Sequence, residues 1–245
     1  MLDTLFDRFA GFIPDEGTLL VLAPLALAYG AAAAWLVARL HDRRGVRTPY
    51  TRKIFHFAIF TAATLVQIAW GLPGVTVFGA VVSLVVLYTV ARGNDHPAYE
   101  ALARPTDAPH RRRFVLVPLL TTALGGGIAN LAFPGFAWVG YLVCGWGDAV
   151  GEPVGTRWGR HRYPVPSMAG VPATRSLEGS AAVLVVGALA AFLGLLATGR
   201  DPLHAGTMAL AAGAAGAAVE AFSTHGLDNL TVQVAASAAA WWIGG

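Results

Sequence analysis

The sequence predicts an all-α integral membrane protein: a helical bundle with about eight transmembrane helices and a short N-terminal interfacial helix. Two observations favour this fold class. Of the 245 residues, 56% are hydrophobic and only 13% are charged, whereas a soluble domain has about 25% charged residues. Long apolar segments recur along the chain, each close to the roughly 20 residues that cross a bilayer. This composition excludes a disordered chain, a nucleic-acid-binding arm and a disulfide-stapled secreted fold.

Eight apolar segments are predicted to span the membrane, although a count of seven also fits the pattern. The fifth segment contains acidic residues and the last is short, so these two are the least typical. Only short loops remain between the segments, and we expect the whole chain, 1–245, to form one transmembrane domain. The predicted spans are 18–39, 54–71, 73–91, 114–133, 135–157, 179–198, 202–222 and 228–243.

Residues 1–17 are predicted to lie on the membrane surface as an interfacial segment. Asp3 and Asp7 occupy the region where a secretory signal peptide needs basic residues, so we do not expect a signal peptide. Apolar residues at helical spacing are typical of an interfacial helix, and they occur here at Leu2, Leu5, Phe6, Phe9, Phe12 and Ile13.

The basic residues predict on which side of the membrane each loop lies. Fifteen of the 17 lysine and arginine residues fall in three loops, 39–53, 92–113 and 157–178, which share one side if there are eight spans. The positive-inside rule places these loops in the cytoplasm and both termini outside. We therefore expect a multi-pass protein of the cytoplasmic (inner) membrane, with its polar residues facing the cytoplasm.

The predicted fifth span combines acidic residues with glycines. Asp148 and Glu152 are one helical turn apart on the same face, and acids inside a membrane are costly and usually functional. Carboxylates this close repel each other unless a cation lies between them, and oxygen ligands of this type suit Mg²⁺. Pro153 is expected to kink or break the helix beside them. A neighbouring stripe, which helix packing alone explains, consists of Gly147, Gly151, Gly155 and Gly159.

Two other segments contain residue types that bind phosphate. In Arg175–Ser180, the free amides at a predicted helix N-terminus favour an anion, and the arginine and the last serine would add donors. Ser176 is also an ordinary N-cap residue, which explains its presence without a ligand. In Arg52–His56, Lys53 is the only lysine of the chain and is a point charge of the kind that holds phosphate. Basic residues at span ends also serve as snorkelling anchors, so both interpretations stay open.

Together with a fourth segment, 228–231, these stretches resemble the membrane family of phytol kinases and dolichol (polyprenol) kinases, which is related to the phosphatidate cytidylyltransferases. The likeness covers most of the chain, from about residue 50 to 245. The four motifs are Arg-Lys-x-x-His, Gly-Asp-x-x-(Ala/Gly), Lys-Ser-x-x-Gly-Ser and Asp-Asn-Leu-Thr, in that order. They match Arg52, Lys53 and His56; Gly147, Asp148 and Gly151; Ser176, Gly179 and Ser180; and Asp228, Asn229, Leu230 and Thr231.

The chain departs from the family pattern in three places. Arg175 stands where the family usually has lysine, which keeps the charge but changes its geometry. Glu152 lies where the kinases often have an aspartate or a neutral residue. The segment Tyr163–Thr174, with three prolines, is long for the connection before the Arg-Ser motif. These departures concern the subfamily and the substrate more than the nucleotide chemistry.

The resemblance implies a CTP-dependent kinase that uses Mg²⁺ to phosphorylate a long-chain isoprenoid alcohol of the phytol or polyprenol type. Its expected partners are a membrane lipid and a nucleoside triphosphate, without nucleic acid. The catalytic residues would be Asp148, Lys53 and Arg175, and the Mg²⁺ ligands Asp148, Glu152 and Asp228. The nucleotide and its phosphates would contact Arg52, Lys53, His56, Arg175, Ser176, Gly179, Ser180, Asn229 and Thr231.

Two other functions stay open at this point. A cytidylyltransferase that makes a CDP-lipid also uses CTP, Mg²⁺ and a membrane lipid, and the residues alone do not distinguish it from a kinase. A transporter would show an inverted repeat and ionisable groups near the bilayer midplane, whereas these acids cluster at one end of the spans. The small-residue run Ala209–Ala218 is expected to pack within the bundle or across a homodimer.

Overall fold

The computed structural model describes residues 8–168, 171–224 and 226–245, so Leu2, Leu5 and Phe6 of the predicted interfacial helix lie outside the described residues. The structure is 80% helical, which confirms the all-α class. In chain order its elements are α1 (Glu16–Arg44), α2 (Thr48–Arg92), α3 (Pro97–Leu102), a 3₁₀ turn (Pro105–Asp107), α4 (Arg113–Ala132), α5 (Ala137–Leu142), a π-helical turn (Val143–Asp148), α6 (Ala149–Trp158), β1 (Arg162–Met168), β2 (Val171–Ser176), α7 (Leu177–Ala197), α8 (Pro202–Phe222) and α9 (Asp228–Gly244).

Among the described residues, five helices are long and apolar enough to cross a membrane: α1, α2, α4, α7 and α8. The first, fourth, sixth and seventh predicted spans correspond to α1, α4, α7 and α8, with ends that differ by a few residues. The last predicted span corresponds to α9, which has 17 residues. The count of eight spans stays a prediction.

Helix α2 contains the second and third predicted spans and folds back on itself at Gly71. Gly71 has φ 66° and ψ −157°, in the left-handed region that favours glycine. A straight helix of 45 residues would be about 68 Å long. The two ends of α2 nevertheless lie close together, since the Thr48 hydroxyl donates to the carbonyl of Glu100 at 2.9 Å. The predicted pair of helices, 54–71 and 73–91, is therefore confirmed.

The predicted fifth span corresponds to α5, the π-helical turn and α6, which follow one another without a gap. The helix continues through Pro153, so it does not break at that residue, and a kink there stays a prediction. The distortion comes earlier, as the π-helical turn that ends at Asp148. Such turns interrupt α-helices frequently at functional sites, and this one sets the position of Asp148.

A β-hairpin that the sequence analysis did not predict occupies the long segment before the Arg-Ser motif. Strands β1 and β2 are antiparallel, with Arg162 opposite Ser176 and Tyr163 opposite Arg175. Because the sheet has two strands, each has an edge that needs no amide donors, and the prolines are tolerated there. The hairpin delivers Arg175 and Ser176 to the start of α7.

Small residues bring the helices around this region into close contact. A Cβ atom on Gly179 of α7 would lie 2.9 Å from the Gly151 carbonyl oxygen of α6, so larger residues would push the two helices apart. In α8, a Cβ on Gly213 would lie 2.7 Å from the Cβ of Ala188. The run Ala209–Ala218 thus packs within the bundle, and the homodimer stays a prediction.

Candidate active site

Three basic residues surround two carboxylates to form what we call the lysine side of the site. Lys53 Nζ, on α2, lies 2.7 Å from Asp148 Oδ2 and 3.4 Å from Glu152 Oε2. The Glu152 carboxylate also forms ion pairs with two arginines: its Oε2 lies 2.9 Å from Arg52 Nη2, and its Oε1 lies 3.1 Å from Arg104 Nη1. The Lys53 and Asp148 side chains are only 8% and 4% exposed, and charges at this depth require partners. Arg104 Nε also lies 3.9 Å from Asp107 Oδ2, so the three cations of this side face three carboxylates and their charges balance.

One arginine faces two carboxylates on the opposite side, which we call the arginine side. Arg175, at the end of β2, forms an ion pair with Glu220 of α8, and its Nη2 lies 3.0 Å from Asp228 Oδ2 of α9. The same guanidinium donates to the Ser223 carbonyl at 3.2 Å, and the Ser180 hydroxyl donates to Glu220 at 3.2 Å. Two carboxylates facing one cation give this side an excess of negative charge.

Both sides line one polar cleft, with an empty volume of about 570 Å³ that is open to solvent. Its walls come from α2, α6, the hairpin, α7, α8 and the start of α9. Basic residues from two of the three predicted cytoplasmic loops line it: Arg52, Lys53, Arg162 and Arg175. Arg104, from the remaining loop, contacts Glu152 at its wall. The three basic loops therefore meet at one end of the bundle.

The loop between α2 and α4 holds Arg104 in this position. Arg111 forms a two-pronged pair with Glu100, with oxygen–nitrogen distances of 2.6 and 3.2 Å, and its Nε donates to the Arg104 carbonyl at 3.2 Å. The Arg111 guanidinium holds the pKa of Glu100 below its ordinary value. Thr51 of α2 donates to the Ala101 carbonyl at 2.6 Å, which fixes the loop against the helix that carries Lys53.

Two backbone amides at the start of α7 already form hydrogen bonds within the protein. The Ser176 hydroxyl oxygen accepts the Gly179 amide at 3.1 Å, and the Leu177 amide donates to the His161 carbonyl at 3.1 Å. The N-cap interpretation of Ser176 is therefore confirmed. Ser176, Gly179 and Ser180 still line the polar cleft, but a phosphate at these two amides would have to displace existing bonds.

The other predicted nucleotide-binding residues lie at different distances from the cleft. His56 Nε2 is 3.1 Å from the Cys144 carbonyl oxygen and 3.6 Å from Asp148 Oδ2. Asn229 donates to the Thr122 hydroxyl at 2.8 Å. His56 and Asn229 line an adjoining apolar chamber. The Thr231 hydroxyl is 2.7 Å from that of Ser223, and within the described chain it lines neither space.

The predicted site residues did not include Glu220, Arg104 or Arg162. Glu220 carries a signal in the sequence, because it is an acid near the end of a helix of small and apolar residues, and such acids are usually functional. It is 3% exposed. Arg104 and Arg162 gave no signal that separates them from the other loop arginines, since only the folded chain brings them to the cleft.

The donors of the site fit a Mg²⁺ ion that arrives with the phosphates of a nucleotide. In the described part of the chain, no three His, Cys, Asp or Glu side chains lie close enough together to hold an ion by themselves. Mg²⁺ usually binds one or two carboxylates together with substrate phosphates. Of the predicted ligands, Asp148 and Glu152 pair with the cations of the lysine side, whereas Asp228 lies on the arginine side with Glu220. The excess of carboxylate on the arginine side meets the requirement of the ion.

No family model and no solved structure matches the chain. The chain is similar to the phytol kinase of Synechocystis sp., with 33% identity over an alignment of 239 residues that covers 90% of this chain and 95% of that relative. The likeness therefore extends beyond the four motifs and across the fold that positions them. The chain belongs to the phytol kinase family, as the motifs predict.

Proposed function

We propose that this protein is a membrane-embedded kinase that transfers the γ-phosphoryl group of CTP to the hydroxyl of a long-chain isoprenoid alcohol such as phytol. The observation that carries the proposal is the junction of the polar cleft with the apolar chamber, because Arg52, Lys53, Asp148 and Asp228 line both. A lipid kinase must bring a charged triphosphate and an apolar alcohol to one point. The name of the relative supports phytol as the acceptor type, and the resemblance of the motifs supports CTP.

The uneven charge of the cleft suggests where the triphosphate and its metal bind. The lysine side, where three cations lie close together, would bind the phosphate oxygens through Lys53, Arg52 and Arg104. The arginine side would hold Mg²⁺ through Asp228 and Glu220, where the phosphates complete the coordination. When bound, Mg²⁺ would neutralise negative charge on the phosphate oxygens.

In the proposed reaction, the hydroxyl oxygen of the alcohol attacks the γ phosphorus of CTP. The bond between the γ phosphorus and the bridging oxygen breaks, and CDP leaves. The Asp148 carboxylate accepts the hydroxyl proton, and Lys53 donates hydrogen bonds to the transferring group. Lys53 also orients Asp148, since the two side chains are 2.7 Å apart. Phosphoryl transfer requires mainly positioning and charge stabilisation, and these two residues supply both.

We also propose that the cleft faces the cytoplasm from the inner membrane. The three basic loops meet at the cleft end of the bundle, and the positive-inside rule assigns such loops to the cytoplasm. CTP would then reach the cleft from the cytoplasm, and the alcohol would reach the same point from the bilayer.

The test is one assay with two labels. Detergent-purified protein is incubated with Mg²⁺ and with CTP labelled at either the α or the γ phosphorus, in the presence of phytol or of phosphatidate, and the lipid is then extracted. We expect label from the γ position in phytol and none from the α position. ATP, GTP and UTP labelled at the γ position serve as the comparison for nucleotide preference.

Label from the α position in the phosphatidate sample would show a cytidylyltransferase and overturn the kinase. An absence of label from both positions, together with an absence of CTP binding by calorimetry, would overturn both enzymes. The readout therefore separates the proposal from the two alternatives that the sequence left open.

A further inference from the structure

An apolar chamber adjoins the polar cleft at Lys53 and Asp148; we call it the inner chamber. It has an empty volume of about 800 Å³, which includes space open to solvent. Apart from its charged end, its walls are mostly apolar side chains of α2 and α4, among them Phe55, Ile59, Val86, Phe114, Val115 and Leu119.

A second apolar space, the outer chamber, adjoins the first. It has an empty volume of about 1050 Å³. The two spaces share Ile59 and Phe60 of the first half of α2, Val82 of its second half, and Leu119 and Thr122 of α4. Because both spaces border the same five side chains, they are direct neighbours. From Val115 in the inner chamber to Gly127 in the outer one, the path follows α4 for about 18 Å.

The outer chamber has a side opening formed by small residues on two helices. Gly79 and Ala80 on the second half of α2 and Ala123 on α4 are exposed, and Gly127 on α4 is half-buried. A Cβ atom built on Gly79 or on Gly127 meets no atom within 4 Å. The helix surfaces beside the opening carry exposed apolar side chains such as Leu84 and Leu124, so the opening faces the region where lipid chains would lie.

We propose that the two chambers form one channel that holds the hydrocarbon chain of the acceptor alcohol, with its hydroxyl at Asp148 and its tail leaving between Gly79 and Gly127. The proposal rests on the proposed function for the identity of the hydroxyl group. It commits to an alcohol with a long hydrocarbon chain, because the channel has a charged end at Lys53 and Asp148 and mostly apolar walls along the rest of its length, with Asn130 and Gln233 as polar exceptions. The small residues at the opening then determine which chain lengths the site accepts.

The first experiment measures occupancy without any turnover. The only native cysteine, Cys144, is buried, so a Gly127→Cys variant presents one thiol at the opening. We expect phytol, at about ten times its Kd, to slow the reaction of this thiol with a maleimide about tenfold, and geraniol, with two isoprene units, to have little effect. A Leu124→Cys variant is the matched control, since Leu124 is exposed on the same helix and does not line the channel.

Equal labelling of the Gly127→Cys variant with and without phytol would overturn the channel. Protection of the Leu124→Cys variant to the same degree would overturn it too, because it would show general coating of the helix by lipid. If phytol protects the first variant alone while the labelled-CTP assay shows no transfer, the channel stands and the proposed kinase activity fails. The two proposals are thereby tested separately.

The second experiment measures chain-length selectivity with a Gly127→Phe variant. We expect the ratio of phosphorylation rates for geranylgeraniol over geraniol to fall about tenfold, which is within the usual effect of a steric change in an apolar pocket. Geraniol, which ends within the inner chamber, should react as in the unmodified protein, and this also shows that the variant folds. An unchanged ratio, or an equal loss for both alcohols, would overturn the channel.

Discussion

The two sides of the polar cleft use the same residue types in different proportions. On the lysine side three cations face three carboxylates, Asp148, Glu152 and Asp107, whereas the arginine side has one cation between Glu220 and Asp228. The lysine side is therefore balanced, whereas the arginine side has one carboxylate more than it has cations at low exposure, which is costly. A Mg²⁺ ion bound there, as proposed, would supply the missing positive charge.

The two sides also differ in how they are held in place. The lysine side is built on α2 and α6 and is supported by the loop that Arg111 fixes. The arginine side depends on a hairpin end, since Arg175 reaches Glu220 and Asp228 from the last residues of β2. The lysine side borders the inner chamber through Arg52, Lys53 and Asp148, whereas the arginine side reaches it through Asp228 alone. The difference suggests that chemistry takes place on the lysine side and metal binding on the arginine side, and the predictions below test that division.

The largest effect is expected from Asp148→Asn. Loss of the proton acceptor should lower kcat about 10³-fold, since general-base groups contribute about 10² to 10⁴. Transfer of γ-label from CTP to phytol, at saturating Mg²⁺, is the measurement. Glu178→Gln is the matched control, because Glu178 pairs with His161 at 2.7 Å and does not line the cleft. A fully active Asp148→Asn variant would show that Asp148 does not accept the hydroxyl proton and that the lysine side does not carry out the chemistry.

A second prediction compares one carboxylate from each side. Asp228→Asn should raise the Mg²⁺ concentration that gives half-maximal activity about tenfold or more, as losses around metal sites commonly do. Glu152→Gln should leave that concentration unchanged and alter the KM for CTP, because Glu152 holds Arg52 and Arg104 in position. Mg²⁺ titrations at several CTP concentrations separate the two effects. A Mg²⁺ shift for Glu152→Gln alone would reverse the assignment of the sides.

Much of the fold could be predicted because apolar length and small residues determine it locally. The boundary between the predicted spans 54–71 and 73–91 matches the fold-back of α2 at Gly71, and the end of α8 at residue 222 followed from the hydropathy pattern. The hairpin could not be predicted, because the prolines of Tyr163–Thr174 disfavour a strand in isolation. Its pairing depends on the register between its own strands and on α7 at its end. The π-helical turn likewise has no local signal and depends on packing.

The site was predictable in its residue types and less so in its pairing. The motifs identified Lys53, Asp148 and Arg175, which the structure places in one cleft. Ion pairs between residues far apart in sequence, such as Arg104 with Glu152, result from the fold-back of α2. No sequence pattern predicts them. Asp148 and Glu152 were expected to share one metal, but each lies nearest to the cations of α2 and its loop.

A third prediction exchanges the basic residue of the arginine side. Arg175→Lys restores the residue that is usual in the family but removes the fork that reaches both Glu220 and Asp228. The charge remains, so we expect a loss in kcat/KM of about fivefold, equivalent to one net hydrogen bond of about 1 kcal/mol. Lys53→Arg, the reverse exchange on the lysine side, should cost more, because Lys53 is buried against Asp148. Equal losses in kcat/KM for the two exchanges would mean that both sides depend equally on the shape of their basic side chain.

The smallest effect is expected from the pair that supports the lysine side from outside the cleft. Arg111 lowers the pKa of Glu100 from its ordinary value of 4.5, so the pair stabilises the fold above that value, and the contribution is lost as the pH falls through the lowered pKa. Solvent screens a pair this exposed, so its contribution to the free energy of unfolding should stay below about 1 kcal/mol. Arg111→Gln should therefore flatten the acid side of a plot of unfolding midpoint in detergent against pH, whereas Arg113→Gln should not.

Because Arg111 also donates a hydrogen bond to the Arg104 carbonyl, the Arg111→Gln variant should raise the KM for CTP at neutral pH. A change in the midpoint without a change in KM would show that the loop stabilises the fold but does not position the lysine side.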